Sequence, residues 1–219
     1  MELEYEHIAP GFVYYKNIID NPSEIIKNIE ELENKREQSQ GYFSDSIKPW
    51  IAWDYDHGKN EKTVFCWQKF IPKPEDINKT DLFYNEQLVI SEALFGSLEL
   101  GLNHYFKLYP YAQKNIKSRE KTMHVLKYKE SGHLPAHSDH GISSRVLSAL
   151  LYLNDDYEGG EITFPHIGFS QKPKAGSLIF FPSNFVFVHE VNAVTSGIRY
   201  ALPNWYHNRS TPYYSDGSE

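Results

Sequence analysis

From residue 121 onward the chain breaks into short segments rich in Val, Ile, Leu, Tyr and Phe, each closed by turn residues, and this pattern excludes a helical bundle there. The segments run 123–128, 145–153, 161–164, 177–181, 185–191 and 198–206. Between them stand Gly132, Pro135, Asn154-Asp155-Asp156, Gly159-Gly160, Lys174-Ala175-Gly176 and Ser196-Gly197. Many strands at such spacing, following helices, predict an antiparallel double-sheet barrel with helices packed outside. The fold class expected is therefore α+β, mainly β. Aromatic residues at 15% suit strands and pockets.

The N-terminal part carries helical periodicity. Asn21-Pro22-Ser23-Glu24 offers a cap, a proline suited to the first helical position and a glutamate able to complete a capping box. Ile25, Ile29 and Leu32 follow at helical spacing, so a helix is expected over 22 to about 37. A second is expected between about Asp76 and Phe106, with Tyr84, Leu88, Leu94, Phe95, Leu98, Leu102 and Tyr105 on one face and Gly96 and Gly101 weakening it. The stretch 50–70 should contain one or two strands. Neither a repeat nor a Pro/Gly/Ser-rich linker divides the chain. One domain over 1–219 is expected, with N-terminal helical support over about 1–110 and the core over about 121–207. Residues 208–219 are polar and expected to fray.

Charge and composition narrow the function classes. A net charge of -7 argues against a general nucleic-acid binder. The longest apolar run, 149–153, is far too short to cross a bilayer. The single cysteine, Cys66, allows no internal disulfide, and the acidic start Met1-Glu2-Leu3-Glu4 lacks the blocks of a signal peptide, so a cytoplasmic setting is expected.

Of ten histidines, spacing singles out two. His137-Ser138-Asp139 sits at a strand end, where side chains two apart face the same way, so His137 and Asp139 can converge on one ion. His189 interrupts the apolar run 185–191 and is the best third ligand. Two imidazoles and a carboxylate on one face of a metal, with the other positions open, form the facial triad of non-haem Fe(II) oxygenases. Taken singly these features mean little, since His-x-Asp arises by chance and a histidine in an apolar strand is ordinarily core. Arg199, ten residues after His189, adds weight: a guanidinium in an apolar strand is costly to bury unless it meets an anion. Its fork pairs bidentately with a carboxylate, which predicts a dicarboxylate co-substrate chelating the metal at its other end. Rival sites fare worse. His133-Leu134-Pro135-Ala136-His137 has zinc-protease histidine spacing, but Leu134 replaces the general base and Pro135 opposes the helix. His140 is a weaker alternative to His137, one cysteine excludes a Cys-rich zinc site, and neither a phosphate-binding glycine loop nor a Gly-x-Ser-x-Gly elbow is present.

With His137-x-Asp139, His189 fifty residues after Asp139, and Arg199 ten later, the chain resembles the prolyl 4-hydroxylase-like branch of the Fe(II)- and 2-oxoglutarate-dependent dioxygenases. The resemblance covers about 121–206 and includes the turn 152–162 and the stretch 174–182. It implies a double-stranded β-helix (jelly-roll) core with N-terminal helices on one outer face. It also implies iron bound by His137, Asp139 and His189, and Arg199 on the distal carboxylate of 2-oxoglutarate, supported by Tyr152, with Tyr128 reaching toward the co-substrate. Trp205 would line the pocket. Pro203 replaces a hydroxyl-bearing residue of some relatives, a bond that Ser148 could supply instead. Asp139 favours hydroxylation, because halogenating relatives carry a small residue there. The implied cofactors are Fe(II), 2-oxoglutarate and O2, with ascorbate as reductant, and succinate and CO2 as co-products. The implied substrate is a prolyl residue of a peptide or protein, with a free amino acid or other small molecule as the alternative. Trp50, Trp53, Tyr55 and Trp67 are candidates to line its groove. No nucleic-acid partner is expected: position 205 is Trp where demethylases of the superfamily carry a second arginine. A non-catalytic jelly-roll module that binds a ligand or metal is the contrasting class.

Overall fold

Successive side chains along the central strands enter two different cores, and this alternation explains the architecture. The computed structural model describes residues 3–39, 50–56, 62–140 and 144–209. In chain order the strands are β1 (Tyr5–Ala9), β2 (Phe12–Tyr15), β3 (Ile51–Asp56), β4 (Lys62–Pro72), β5 (Ser118–Arg119), β6 (Thr122–Tyr128), β7 (Leu134–His137), β8 (Arg145–Tyr152), β9 (Glu158–Gly159), β10 (Ile162–Phe164), β11 (Phe169–Gln171), β12 (Leu178–Pro182), β13 (His189–Val191), β14 (Val194–Ser196) and β15 (Arg199–His207). The helices are α1 (Pro22–Gln38), α2 (Tyr84–Leu108) and α3 (Pro110–Asn115). A large sheet runs β1-β2-β12-β8-β15-β6-β4-β3, with β5 paired to β15. A smaller sheet, β11-β10-β13-β7, and the pair β14-β9 complete the strands among the described residues. Every pairing is antiparallel. This is a double-stranded β-helix with helices outside.

On the outer face Val13, Val125, Ala149, Leu151, Leu178, Phe180 and Leu202 pack against Ile25, Ile29 and Leu32 of α1 and Ile90, Leu94, Leu98 and Leu102 of α2. On the inner face their neighbours Phe12, Tyr14, Leu126, Leu150, Ile179, Phe181 and Ala201 meet Ile162, Phe164 and Val191 of the smaller sheet. A strand buried on both faces reads as a continuous apolar run, as β2 and β12 do. Gly101 permits close docking of α2, since a Cβ there would lie 2.5 Å from Leu178 Cδ2.

Several expectations need correction. The second helix starts at Tyr84, not near Asp76; Pro74–Asp76 is a 3-10 turn. The Asp81 carboxylate accepts from the Phe83 amide at 2.8 Å and turns the chain into the helix. Glu24 does not complete a capping box: its carboxylate accepts from Asn21 Nδ2 at 2.8 Å. Residues 1–110 supply four strands of the large sheet as well as helices. Residues 185–187 form a 3-10 turn, and the strand begins only at His189. The Asn184 side chain accepts from the Val186 amide at 3.0 Å and caps that turn, leaving Phe185 76% exposed. Of the tail expected to fray, 210–219 lies outside the described residues.

Candidate active site

A cavity of about 330 Å³ opens between the two sheets, with His137, Asp139, His189 and Arg199 in its wall. The ladder between β7 and β13 sets His137 directly opposite His189, with ring centres 4.3 Å apart. The strand pleat does not bring Asp139 to them as expected, because β7 ends at His137. Asp139 lies in the turn beyond, where Ser148 Oγ donates to its Oδ2 at 2.6 Å. Ser148 in turn shares a hydrogen bond of 2.8 Å with Ser183. Held so, Asp139 Oδ1 is 3.7 Å from His137 Nε2 and Oδ2 is 3.9 Å from His189 Nε2. The three candidate donor atoms all lie within 4.8 Å of one another, the one group of its kind among the described residues. Ser148 is thereby committed to Asp139 rather than to a co-substrate.

The imidazoles are oriented by the backbone. His137 Nδ1 is 2.8 Å from the Pro135 carbonyl and His189 Nδ1 is 3.1 Å from that of Phe187. A carbonyl oxygen only accepts, so both Nδ1 atoms carry the proton and both Nε2 lone pairs face the carboxylate. Burial lowers the pKa of His189, Asp139 opposes that shift and His137 adds to it. Phe164 stacks on the His189 ring at 5.2 Å and Phe181 meets it edge-on at 5.0 Å. Two imidazoles and a carboxylate, converging with one side left to the cavity, fit a ferrous ion.

Arg199 lies opposite Tyr128 on the neighbouring strand and is 1% exposed. Its guanidinium carbon is 4.8 Å from the Tyr128 ring centre and 5.3 Å from that of Tyr152. Burial pushes both phenols well above their ordinary pKa, so they are neutral. Nε and Nη1 of Arg199 and the hydroxyl of Tyr152 have no hydrogen-bond partner among the described residues. A buried cation surrounded by neutral rings, beside an orphaned hydroxyl, is the signature of an absent anion. Gly160 makes the space: at φ +65°, a Cβ there would stand 3.0 Å from Arg199 Cδ.

The other expected groups separate. Trp205 and Trp53 line the cavity, and the Arg145 guanidinium stacks on Trp205 at 3.8 Å. Trp50 lies on the outer face beneath Lys127, Trp67 stacks with Lys129, and the side chain of Tyr55 lies outside the described residues. His140 turns away and donates to the Arg145 carbonyl at 2.7 Å, while His133 packs on Phe65. The Ser148–Ser183 clamp, Gly160, Gln68 and His124 escape the sequence reasoning. Ser148 carried the same signal as Arg199, a polar residue facing inward from an apolar strand.

Residues 123–207 match the family described as the 2OG-Fe(II) oxygenase superfamily. Over that stretch the chain is similar to that superfamily. Human prolyl 3-hydroxylase 2 is 46% identical over 67 residues, 28% of this chain and 10% of that protein; the chain thus spans about a tenth of that relative's length. Among solved structures, a Trichoplax adhaerens prolyl hydroxylase in complex with a hypoxia inducible factor oxygen degradation domain peptide fragment superposes with a TM-score of 0.57. It is 21% identical and is covered over 84% of its chain and 90% of this one. A Pseudomonas putida prolyl-4-hydroxylase gives 0.54 at 18% identity, over 93% of that chain and 91% of this one. At such identities these two establish the double-stranded β-helix fold alone.

Proposed function

We propose that this protein is an Fe(II)- and 2-oxoglutarate-dependent hydroxylase acting on a prolyl residue of a peptide or protein. The observation that carries the proposal is the buried guanidinium of Arg199, whose Nε and Nη1 have no partner among the described residues, in the wall of the cavity that His137, Asp139 and His189 also line. His137 and His189 would hold the iron through Nε2 and Asp139 through its carboxylate. Bound iron, with 2-oxoglutarate and O2, supplies the oxidation of an unactivated C–H bond, with succinate and CO2 as co-products. Arg199 would clamp the distal carboxylate of 2-oxoglutarate bidentately, and the Tyr152 hydroxyl would donate to the same group. Tyr128 flanks the guanidinium and holds its plane. Leu126, Leu150, Ile162 and Val191 line the cavity with apolar surface and keep water from the reacting groups. The prolyl substrate is supported by the likeness to prolyl hydroxylases. Ascorbate as reductant and a cytoplasmic setting belong to the same proposal, the latter supported by the single cysteine.

The test is an anaerobic titration with Fe(II) and 2-oxoglutarate, followed by succinate release across prolyl peptides and free amino acids. A weak visible charge-transfer band, lost in His189→Ala, with peptide-stimulated succinate is the expected result. A wild type that forms no band and releases no succinate is a binding module instead.

A further inference from the structure

Gln68 and His124 line the cavity, yet neither is used by the chemistry above. In the β4–β6 ladder Gln68 pairs with Leu126 and Phe70 with His124. Gln68 and His124 are therefore diagonal neighbours on the inner face, roughly 7–8 Å apart. Along β6 the inward positions run Tyr128, Leu126, His124. Four residues of strand place His124 about 13 Å from Tyr128, at the far end of the cavity from the Arg199 clamp. Phe70 and Trp205 hold the His124 ring edge-on at 4.7 and 5.2 Å.

Neither side chain has a hydrogen bond to protein among the described residues, and the buried Trp205 Nε1 also has no partner. Gln68 and His124 are half-buried, so their polar groups stand open to the cavity and are available to a ligand, while the buried Trp205 Nε1 calls for a partner. Burial lowers His124 to a pKa of about 4, with Arg145 adding to the shift and Glu120 opposing it, so the ring is neutral. A neutral imidazole offers one donor and one acceptor, and the Gln68 carboxamide offers both kinds. A peptide amide presents the complementary N–H and C=O without charge. A free amino acid would bring an ammonium group, but among the described residues the only carboxylate lining the cavity is Asp139, already committed to Ser148 and the metal site. Besides Arg199, the cation in the wall among the described residues is Arg145, which is stacked on Trp205 and paired with Glu120 at 3.5 Å.

We propose that Gln68 and His124 form a recognition pair for a backbone amide of the substrate, so that the cavity accepts a peptidyl and not a free amino-acid substrate. This rests on the hydroxylase proposal above. The test uses blocked peptides of the form acetyl-X-Pro-X-amide, carrying forward the member that most stimulates succinate release. Gln68→Leu and His124→Leu should each raise its KM about tenfold, the loss of one well-made hydrogen bond, with kcat little altered and the Fe(II)–2-oxoglutarate band retained. Replacing the flanking amide by an ester should cost the wild type a similar factor in kcat/KM and cost the variants much less, a readout that needs no stable variant for its first half. Indifference of the wild type to the ester, KM values within twofold for both variants, or free proline outrunning every blocked peptide would overturn the inference. A wild type that forms no band sinks the hydroxylase proposal, and this inference with it.

Discussion

Replacing Arg199 by methionine removes a cation that is 1% exposed and has two nitrogens without a partner among the described residues. Without the co-substrate that charge is a liability: an uncompensated buried ion costs several kcal/mol even after relaxation. An apolar side chain of similar length should therefore leave the ligand-free protein as stable as the wild type or more so. Each kcal/mol gained corresponds to a rise of about 2–4 °C in Tm for a chain of this size. With 2-oxoglutarate present the sign reverses. A buried charge-paired hydrogen bond is worth about 2–5 kcal/mol in binding, so the Kd for 2-oxoglutarate should rise by roughly 30-fold to several thousand-fold. Calorimetric melts with Mn(II), with and without 2-oxoglutarate, read both halves, since a ligand that binds only the folded state raises Tm. Arg199→Lys, a point charge without the fork, should fall between the two. A methionine variant that melts earlier in the absence of 2-oxoglutarate yet binds it normally would make Arg199 a structural residue and refute the reasoning.

Three further outcomes are expected. Ser148→Ala removes the donor that holds Asp139 Oδ2 at 2.6 Å, so Mn(II) affinity should fall about 10–100-fold, with Ser148→Thr recovering part of it; equal affinities by titration calorimetry would dismiss the clamp. Gly160→Ala places a Cβ at φ +65° against Arg199 Cδ and Tyr157 Cε2, and should destabilise by about 1–3 kcal/mol and weaken 2-oxoglutarate binding; an unchanged melt would mean the loop relaxes freely. His124, held near pKa 4 when folded against about 6.5 when unfolded, takes up a proton preferentially on unfolding. Its contribution is whole above pH 6.5 and is lost as pH falls toward 4, on the order of 3 kcal/mol in all. Urea melts of the wild type should steepen across that window relative to His124→Leu, and parallel curves would contradict the assignment.

The large sheet was legible where side chains alternate between two apolar cores: β6, β8, β12 and β15 lie within two residues of the expected segments at each end. Helix α1 was legible for the same reason, through one buried stripe of Ile25, Ile29 and Leu32. The edge strand β1 was not, because its residues are half-buried or exposed and carry no clear period. The run at 185–187 misled because Phe185 and Val186 are apolar but exposed, and a side-chain cap from Asn184 outweighs strand propensity. Arg199 stood out because the cost of burying a guanidinium is visible in sequence. The hold on Asp139 did not, because Ser148 reaches it across a turn that no local pattern encodes.

The most direct measurement is anomalous diffraction from crystals grown anaerobically with Mn(II) and 2-oxoglutarate. The account predicts one metal peak bonded to His137 Nε2, Asp139 and His189 Nε2, with the distal carboxylate of 2-oxoglutarate seated on the Arg199 fork. A peak outside that group, or a carboxylate resting on Arg145 while Arg199 stays unpaired, would contradict it.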